Sequence, residues 1–248
     1  MGALPTSVFS ATIAGVNVLL VKPAERARSP LFRGARIYGG GYNETEAYLF
    51  FCRACLEWLS QSGAQPDIFH FHDWQQAAGC MIYWEKYHVS AGGPFQRASV
   101  VYTVHNLDST GEVRADEFAA FLGLEASFGA RFGHVDRALD ERTIGHNPER
   151  LSLMKGGLVY AAAVTTVSPT YAREILTGGA SGWLRPTFAR PDVARKVRGI
   201  LNGIDYDEWD PASDAFLPAN YSAQFPAGKA VCKQYLQRGL GLDVDPSA

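Results

Sequence analysis

Short apolar runs recur along the chain at Val16–Val21, Asp67–Phe71, Ser99–Val104, Ala162–Val167 and Val197–Leu201, each bounded by turn residues. Their apolar positions are nearly continuous rather than alternating, the pattern of strands in a sheet covered on both faces. Helical patterns lie between them, at Glu44–Gln61, Gln75–Tyr87, Pro148–Tyr160 and Pro169–Leu176. Within the first, Leu49, Phe50, Cys52, Leu56 and Leu59 recur at a period near 3.6, as in a helix packed on one face. Ser168-Pro169 is a helix start, because a serine side chain accepts a free N–H and proline has none to leave unsatisfied at the first helical position. The alternation predicts a doubly wound α/β domain with a mainly parallel sheet, whose ligands bind beyond the carboxyl ends of the strands. A last helical stretch, Lys229–Arg238, runs into Gly239-Leu240-Gly241 and a linker-like Asp243-Val244-Asp245-Pro246.

Composition narrows the class. The 248 residues are 47% hydrophobic and 19% charged, with a formal net charge of -2. Such a chain is neither disordered nor a basic nucleic-acid binder, and no apolar run reaches the ~18 residues of a membrane span. Four cysteines are too few for a disulfide framework and point to a reducing compartment. The first residues, Met1-Gly2-Ala3-Leu4-Pro5, lack a basic and apolar leader pattern. Both ends read as the edges of a piece of a longer protein.

The polar residues at the predicted strand ends carry the candidate chemistry. Phe69-His70-Phe71-His72-Asp73-Trp74-Gln75 follows one strand and opens a helix. Asp73 and Trp74 there suit hydrogen bonding and stacking on a sugar ring; equally, Asp73 caps the helix and Trp74 fills a core corner. His70 and His72, with His88, invite comparison with metal ligands, but no cysteine or carboxylate stands at a usual ligand spacing, so no metal is expected. Tyr102-Thr103-Val104-His105-Asn106-Leu107 ends a second strand. His105 and Asn106 can each donate or accept in a cleft, or His105 is simply a satisfied strand-end histidine. After a third strand, Leu201-Asn202-Gly203-Ile204-Asp205 reads as a tight turn with glycine at positive φ, or as a ligand contact from Asn202. Gly39-Gly40-Gly41 lacks phosphate-loop spacing, and Cys52-Arg53-Ala54-Cys55 sits inside an apolar helix, where paired cysteines are small core residues rather than a redox motif.

Five segments occur in order: Pro66 to Gln75, Tyr102 to Leu107, Leu153-Met154-Lys155-Gly156-Gly157-Leu158-Val159-Tyr160, Val164 to Tyr171, and Gly199 to Asp205. Together they resemble the N-terminal domain of starch and bacterial glycogen synthases, over roughly residues 10 to 245. The Lys155-Gly156-Gly157 block and Asp205-Tyr206-Asp207-Glu208-Trp209-Asp210-Pro211 look most like the plant and algal class IV type. The resemblance implies the N-terminal, Rossmann-like half of a GT-B type glycosyltransferase, spanning 1–241, with 242–248 the start of a linker to a further domain. It implies retaining transfer of glucose from ADP-glucose to the non-reducing end of an α-1,4-glucan, a plastid location and no cofactor beyond the donor substrate. By position, His105 and Asp73 are the implied catalytic residues, and Trp74, Asn106 and Asn202 are implied to bind substrate. Positioning and charge complementarity are what an oxocarbenium-like transition state needs from them.

Departures accompany the matches. The Lys-Thr-Gly-Gly loop of the family's nucleotide-sugar site is not in this sequence, nor is the diphosphate-binding C-terminal domain. Glu141 and Glu149 share the Glu-x7-Glu spacing of retaining glycosyltransferases, but their flanks do not match and the spacing is coincidental. After His105-Asn106-Leu107 the sequence continues Asp108-Ser109-Thr110-Gly111, unlike the family. The isolated chain is therefore expected to transfer no glucose. The alternative is a non-catalytic glucan-binding or interaction protein built from half the fold.

Overall fold

The computed structural model describes residues 4–23, 43–88, 93–114, 116–118, 143–144 and 147–247, with the side chains of 143, 144, 147 and 148 left aside. The chain divides into two compact units, Met1–Leu201 and Asn202–Ala248.

The first unit is organised by four parallel strands in the order β3 (Ile68–His72), β4 (Ser99–Val104), β8 (Ala163–Thr166), β9 (Val197–Gly199). Their register decides which residues share a face, because directly paired residues in neighbouring strands point the same way. Phe69 pairs with Val100, Phe71 with Tyr102, Tyr102 with Val164 and Val164 with Val197. All but the half-buried Phe71 are buried, so this face carries the core. On the opposite face the pairs are His70 with Val101, His72 with Thr103, Thr103 with Thr165 and Thr165 with Arg198. Ile68 and His70 are exposed there. The expectation of strands apolar on both faces is thus corrected: one face is packed and the other is polar and partly open.

Helices α1 (Glu44–Gln61), α2 (Asp73–Ile82), α3 (Leu153–Tyr160) and α4 (Pro169–Thr177) flank this sheet in sequence. The first starts where Asn43 Oδ1 accepts the Glu46 N–H, and the last where Ser168 Oγ accepts the Tyr171 N–H ahead of Pro169. Residues 153–160 begin later than the helical pattern suggested. Ser152 is the N-cap of α3, its hydroxyl accepting the Lys155 N–H, and Asn147–Ser152 is instead strand β7. β7 pairs antiparallel with β5 (Glu112–Arg114) and β6 (Thr143–Ile144), a small second sheet that the apolar runs did not announce. The two glycines of α3 explain its composition. A Cβ on Gly157 would sit 2.9 Å from the Tyr102 ring, and one on Gly156 would collide with the Met81 thioether. Their absence lets α3 close onto β4 on one side and α2 on the other.

Val16–Val21 also finds a different partner from the one expected. It belongs to β2 (Val16–Pro23), which pairs antiparallel with β1 (Thr6–Ile13) in a separate hairpin. Ala14 and Gly15, both at positive φ, make its two-residue turn, which matches the twist of the strands. Shorter helices α5 (Arg185–Phe188) and α6 (Pro191–Ala194) also belong to the first unit.

The second unit is loop-rich apart from α7 (Ala227–Gly239), which buries none of its residues. Polar bonds hold its loops: Asn220 Nδ2 donates to the carbonyls of Pro211 and Asp214, and Asp210 accepts from the Ala212 N–H and the Ser213 hydroxyl. Gly203 is not among the glycines at positive φ, so the Asn-Gly turn read from the sequence is absent. The local reversal is instead an Asx turn, in which Asp205 Oδ1 accepts the Asp207 N–H.

Candidate functional site

Strand β3 passes into α2 with no intervening loop: His72 ends one and Asp73 begins the other. Asp73 makes this reversal at φ 49°, in the left-handed region. A non-glycine residue there costs about 1 kcal/mol, and aspartate is among the side chains that tolerate it best. The N-terminus of α2 has no side-chain cap, so Asp73 does not take the capping role weighed for it. Gln76 Oε1 accepts the His72 N–H instead.

The Asp73 carboxylate turns to the end of the neighbouring strand. Oδ1 accepts the His105 backbone N–H at 2.8 Å, and Oδ2 meets His105 Nδ1 at 2.8 Å. An ionised carboxylate only accepts, so Nδ1 carries the proton in this pair, and Nε2 is the ring's second nitrogen, with no partner among the described residues. The His105 side chain is 42% exposed and that of Asp73 26%, which leaves the imidazole open to a ligand while its inner edge is fixed. Two residues 32 positions apart thus form one unit because β3 and β4 are adjacent and parallel.

The neighbouring polar side chains build on this pair. His72 stacks on His105 with ring centroids 5.5 Å apart, and His70 stacks on His72 at 4.2 Å. His70 Nε2 bonds Thr103 Oγ1 at 2.6 Å, and Thr103 Oγ1 bonds Thr165 Oγ1 at 2.6 Å. Burial lowers the affinity of His72 for a proton, and the charges of His70 and His105 add to the effect against the pull of Asp73. The third member of the histidine group is therefore His105. His88 lies elsewhere, its Nδ1 3.0 Å from the Tyr83 hydroxyl in the π-helical turn that follows α2. Among the described residues no group of three or more His, Cys, Asp or Glu is placed to hold a metal ion.

The other predicted site residues are placed as follows. Trp74 is half-buried, edge-on to Tyr48 at 5.3 Å, and its ring borders Gly111, where a Cβ would lie 2.8 Å from it. Asn106 is exposed, and its Oδ1 accepts the Asp108 N–H, leaving its amide donors for other use. Asn202 is exposed and belongs to the second unit. Thr103, Thr165 and Gln76 were not picked out from the sequence. The alternation of His70 and His72, with threonines in β4 and β8, was the signal for a polar sheet face.

Features set aside earlier stay outside the site. Cys52 and Cys55 lie in α1, where burial pushes their thiols up to about 12 and about 11, protonated and unreactive at neutral pH. Thr110 and Gly111, in the segment that departs from the family, accept through their carbonyls the N–H groups of Met154 and Leu153. Glu149 is exposed and 3.9 Å from Arg114, whereas Glu141 and Gly39-Gly40-Gly41 lie outside the described residues. No helix among the described residues is long and apolar enough to cross a membrane.

Residues 2–187 match the family model described as the starch synthase catalytic domain. The chain is 34% identical over 235 residues to a probable starch synthase 4, chloroplastic/amyloplastic, of Arabidopsis thaliana, covering 95% of this chain and 21% of that protein. It is 37% identical over 247 residues to glycogen synthase 1 of Synechococcus sp. (strain JA-3-3Ab), covering 98% and 47% respectively. The fold matches the catalytic domain of starch synthase IV from Arabidopsis thaliana, solved bound to ADP and acarbose, with a TM-score of 0.71 and 33% identity. That match covers 96% of this chain and 45% of the other. The chain spans less than half the length of each of these relatives.

Proposed function

This chain belongs to the family of starch synthase catalytic domains, and from that premise we propose that its protein transfers glucose from ADP-glucose to the non-reducing end of an α-1,4-glucan with retention of configuration. The observation that carries the reading is the Asp73–His105 pair at the carboxyl ends of two adjacent parallel strands, where α/β sheets present ligands. In this reading the anomeric carbon gains positive character as its bond to the ADP oxygen lengthens. His105, oriented by Asp73, hydrogen-bonds through Nε2 to a hydroxyl of the transferred glucose and holds the ring as that charge develops.

Asn106 supports the same sugar through its remaining amide donors, and Asn202 is a further substrate-binding residue. Trp74 meets the substrate with the part of its ring not engaged by Tyr48 and Gly111. The reading includes no cofactor besides the donor; glycosyl transfer moves no electrons between redox states, so it calls for no redox group. The likeness to a solved enzyme bound to ADP and acarbose supports a nucleotide-sugar donor and a glucan acceptor. A plastid location rests on the plant relative, and a fluorescent fusion of the complete protein in plant cells tests it.

The test of the reaction is incorporation of radiolabelled glucose from ADP-glucose into a maltooligosaccharide by the complete protein. His105→Ala is expected to lower turnover on the order of 100-fold, the scale of a lost transition-state hydrogen bond. Glucan binding without turnover by the complete protein would overturn the reading in favour of a non-catalytic glucan-binding protein.

A further inference from the structure

Among the described residues the His72 ring has neighbours but no hydrogen-bond partner. Its backbone N–H is taken by Gln76, while its imidazole lies between two others, 4.2 Å from His70 and 5.5 Å from His105. The planes are inclined by only 29° and 27°, so the three rings form a column rising from the open face of β3 to the end of β4. Both ends of the column are anchored. Thr103 and Thr165 tie His70 to the two adjacent strands, and Asp73 holds His105 by its backbone and Nδ1.

We propose that His72 is a positioning residue for His105: its flat ring, backed by His70, is the surface against which the His105 imidazole rests while Asp73 holds its inner edge. The role rests on the functional reading above, in which His105 Nε2 meets the transferred sugar. Asp73 accepts one bond from the His105 backbone N–H and one from the imidazole, and that single ring bond restrains rocking about the Cβ–Cγ bond without abolishing it. A ring stacked on its face removes the remaining freedom, so Nε2 keeps one direction. Positioning of this kind is a large part of what an enzyme contributes to glycosyl transfer.

The electrostatics suit the role. Adjacent imidazoles cannot both be charged cheaply at these distances, and the one carboxylate in the group sits beside His105. The groups that act on His72 are His70 from its own strand, His105 from the end of β4 and Asp73 from the start of α2. Tyr102 and Tyr171 also feel the Asp73 charge and stay protonated. Burial and the two flanking histidines disfavour the charged form of His72, which suits its ring to serve as a π-surface for His105.

Ring nitrogen and carbon NMR of the 248-residue chain tests this without any substrate. In the wild type, His105 is expected as a single Nδ1–H tautomer with a slowly exchanging Nδ1 proton. His72→Phe, which keeps a flat ring, is expected to preserve that signature; His72→Ala is expected to average the two tautomers and lose the protected proton. In His105→Gln the titration midpoint of His72 is expected to move up, because the nearby cation is gone. An unchanged His105 signature in His72→Ala, or its loss in His72→Phe to the same degree, overturns the proposal, and so does an unmoved His72 midpoint. If His72→Ala fails to fold, the His72→Phe and His105→Gln spectra still decide.

In the complete protein His72→Ala is expected to lower kcat on the order of tenfold with little change in KM for ADP-glucose, and His72→Phe to restore most of it. Absence of glucosyl transfer by the wild type would overturn the functional reading, while the ring spectra would still report on the column.

Discussion

Replacing Asp73 separates two contributions that meet at one residue: a carboxylate that accepts two hydrogen bonds from His105, and a backbone at φ 49°. Asparagine tolerates the left-handed region as aspartate does, so Asp73→Asn leaves the backbone term in place. Its single acceptor oxygen can keep the His105 N–H, but its NH2 then faces Nδ1. The half-exposed setting of the pair puts the loss at about 1 kcal/mol. Asp73→Ala gives up both bonds, about 2 kcal/mol, and places a Cβ-bearing residue without a local polar partner at positive φ, about 1 kcal/mol more. Asp73→Gly gives up the same bonds but relieves the backbone, so it falls between the two. The expected order of damage is Asn, then Gly, then Ala. At roughly 2–4 °C per kcal/mol for a domain of this size, Tm drops by about 2–4 °C for Asn and about 6–12 °C for Ala. Tryptophan fluorescence during heating follows the relevant unit, since only Trp209 of the five tryptophans lies outside residues 1–201. An alanine variant no less stable than the glycine variant would refute the backbone argument. Equal stability of all three variants and the wild type would refute both parts.

The remaining expectations concern the packed side of the sheet. The Tyr102 hydroxyl is fully buried with no hydrogen-bond partner among the described residues, so Tyr102→Phe removes an unpaired polar group and is expected to raise stability by about 1 kcal/mol, read as an increased urea midpoint at unchanged slope. Gly157→Ala pushes a methyl to 2.9 Å from the same ring; overpacking outweighs the gain in helix propensity, and the urea midpoint is expected to fall by the equivalent of about 1–2 kcal/mol. Lys196 donates to the carbonyls of Val159 and Ala161 at the end of α3, and burial brings its pKa down from 10.5 to about 8. The unfolded chain then binds more protons than the folded one between those values. Stability from this group is therefore lost as pH falls through about 8 and fully present only above 10.5. Lys196→Met is expected to remove that rise, seen as a stability difference from the wild type that widens with pH across this window.

Much of the framework was legible because local signals agreed with the global fold. Ser168 marks a helix start that the chain uses, α1 occupies Glu44–Gln61 as its period implied, and β4 occupies Ser99–Val104. The family was legible for a different reason: several ordered strand-end motifs are jointly far more specific than any one of them. What escaped was decided by pairing rather than by local pattern. Nothing within Val16–Val21 distinguishes a strand of the parallel sheet from half of a hairpin; the choice falls to Ala14-Gly15 and to the preceding Thr6–Ile13. β7 was hidden because its strand runs straight into the Ser152 cap of α3, so an apolar helical stretch seemed to start earlier. The site repeats the lesson. Asp73 looked as well suited to capping α2 as to facing a ligand, since both need an acceptor at that position. Only the adjacency of β3 and β4, which no short segment encodes, supplies the two His105 donors that draw the carboxylate away from the helix. A residue whose local role is cheap to fill and left unfilled, on a backbone that costs free energy to hold, is the kind of inconsistency expected where function rather than stability has set the choice.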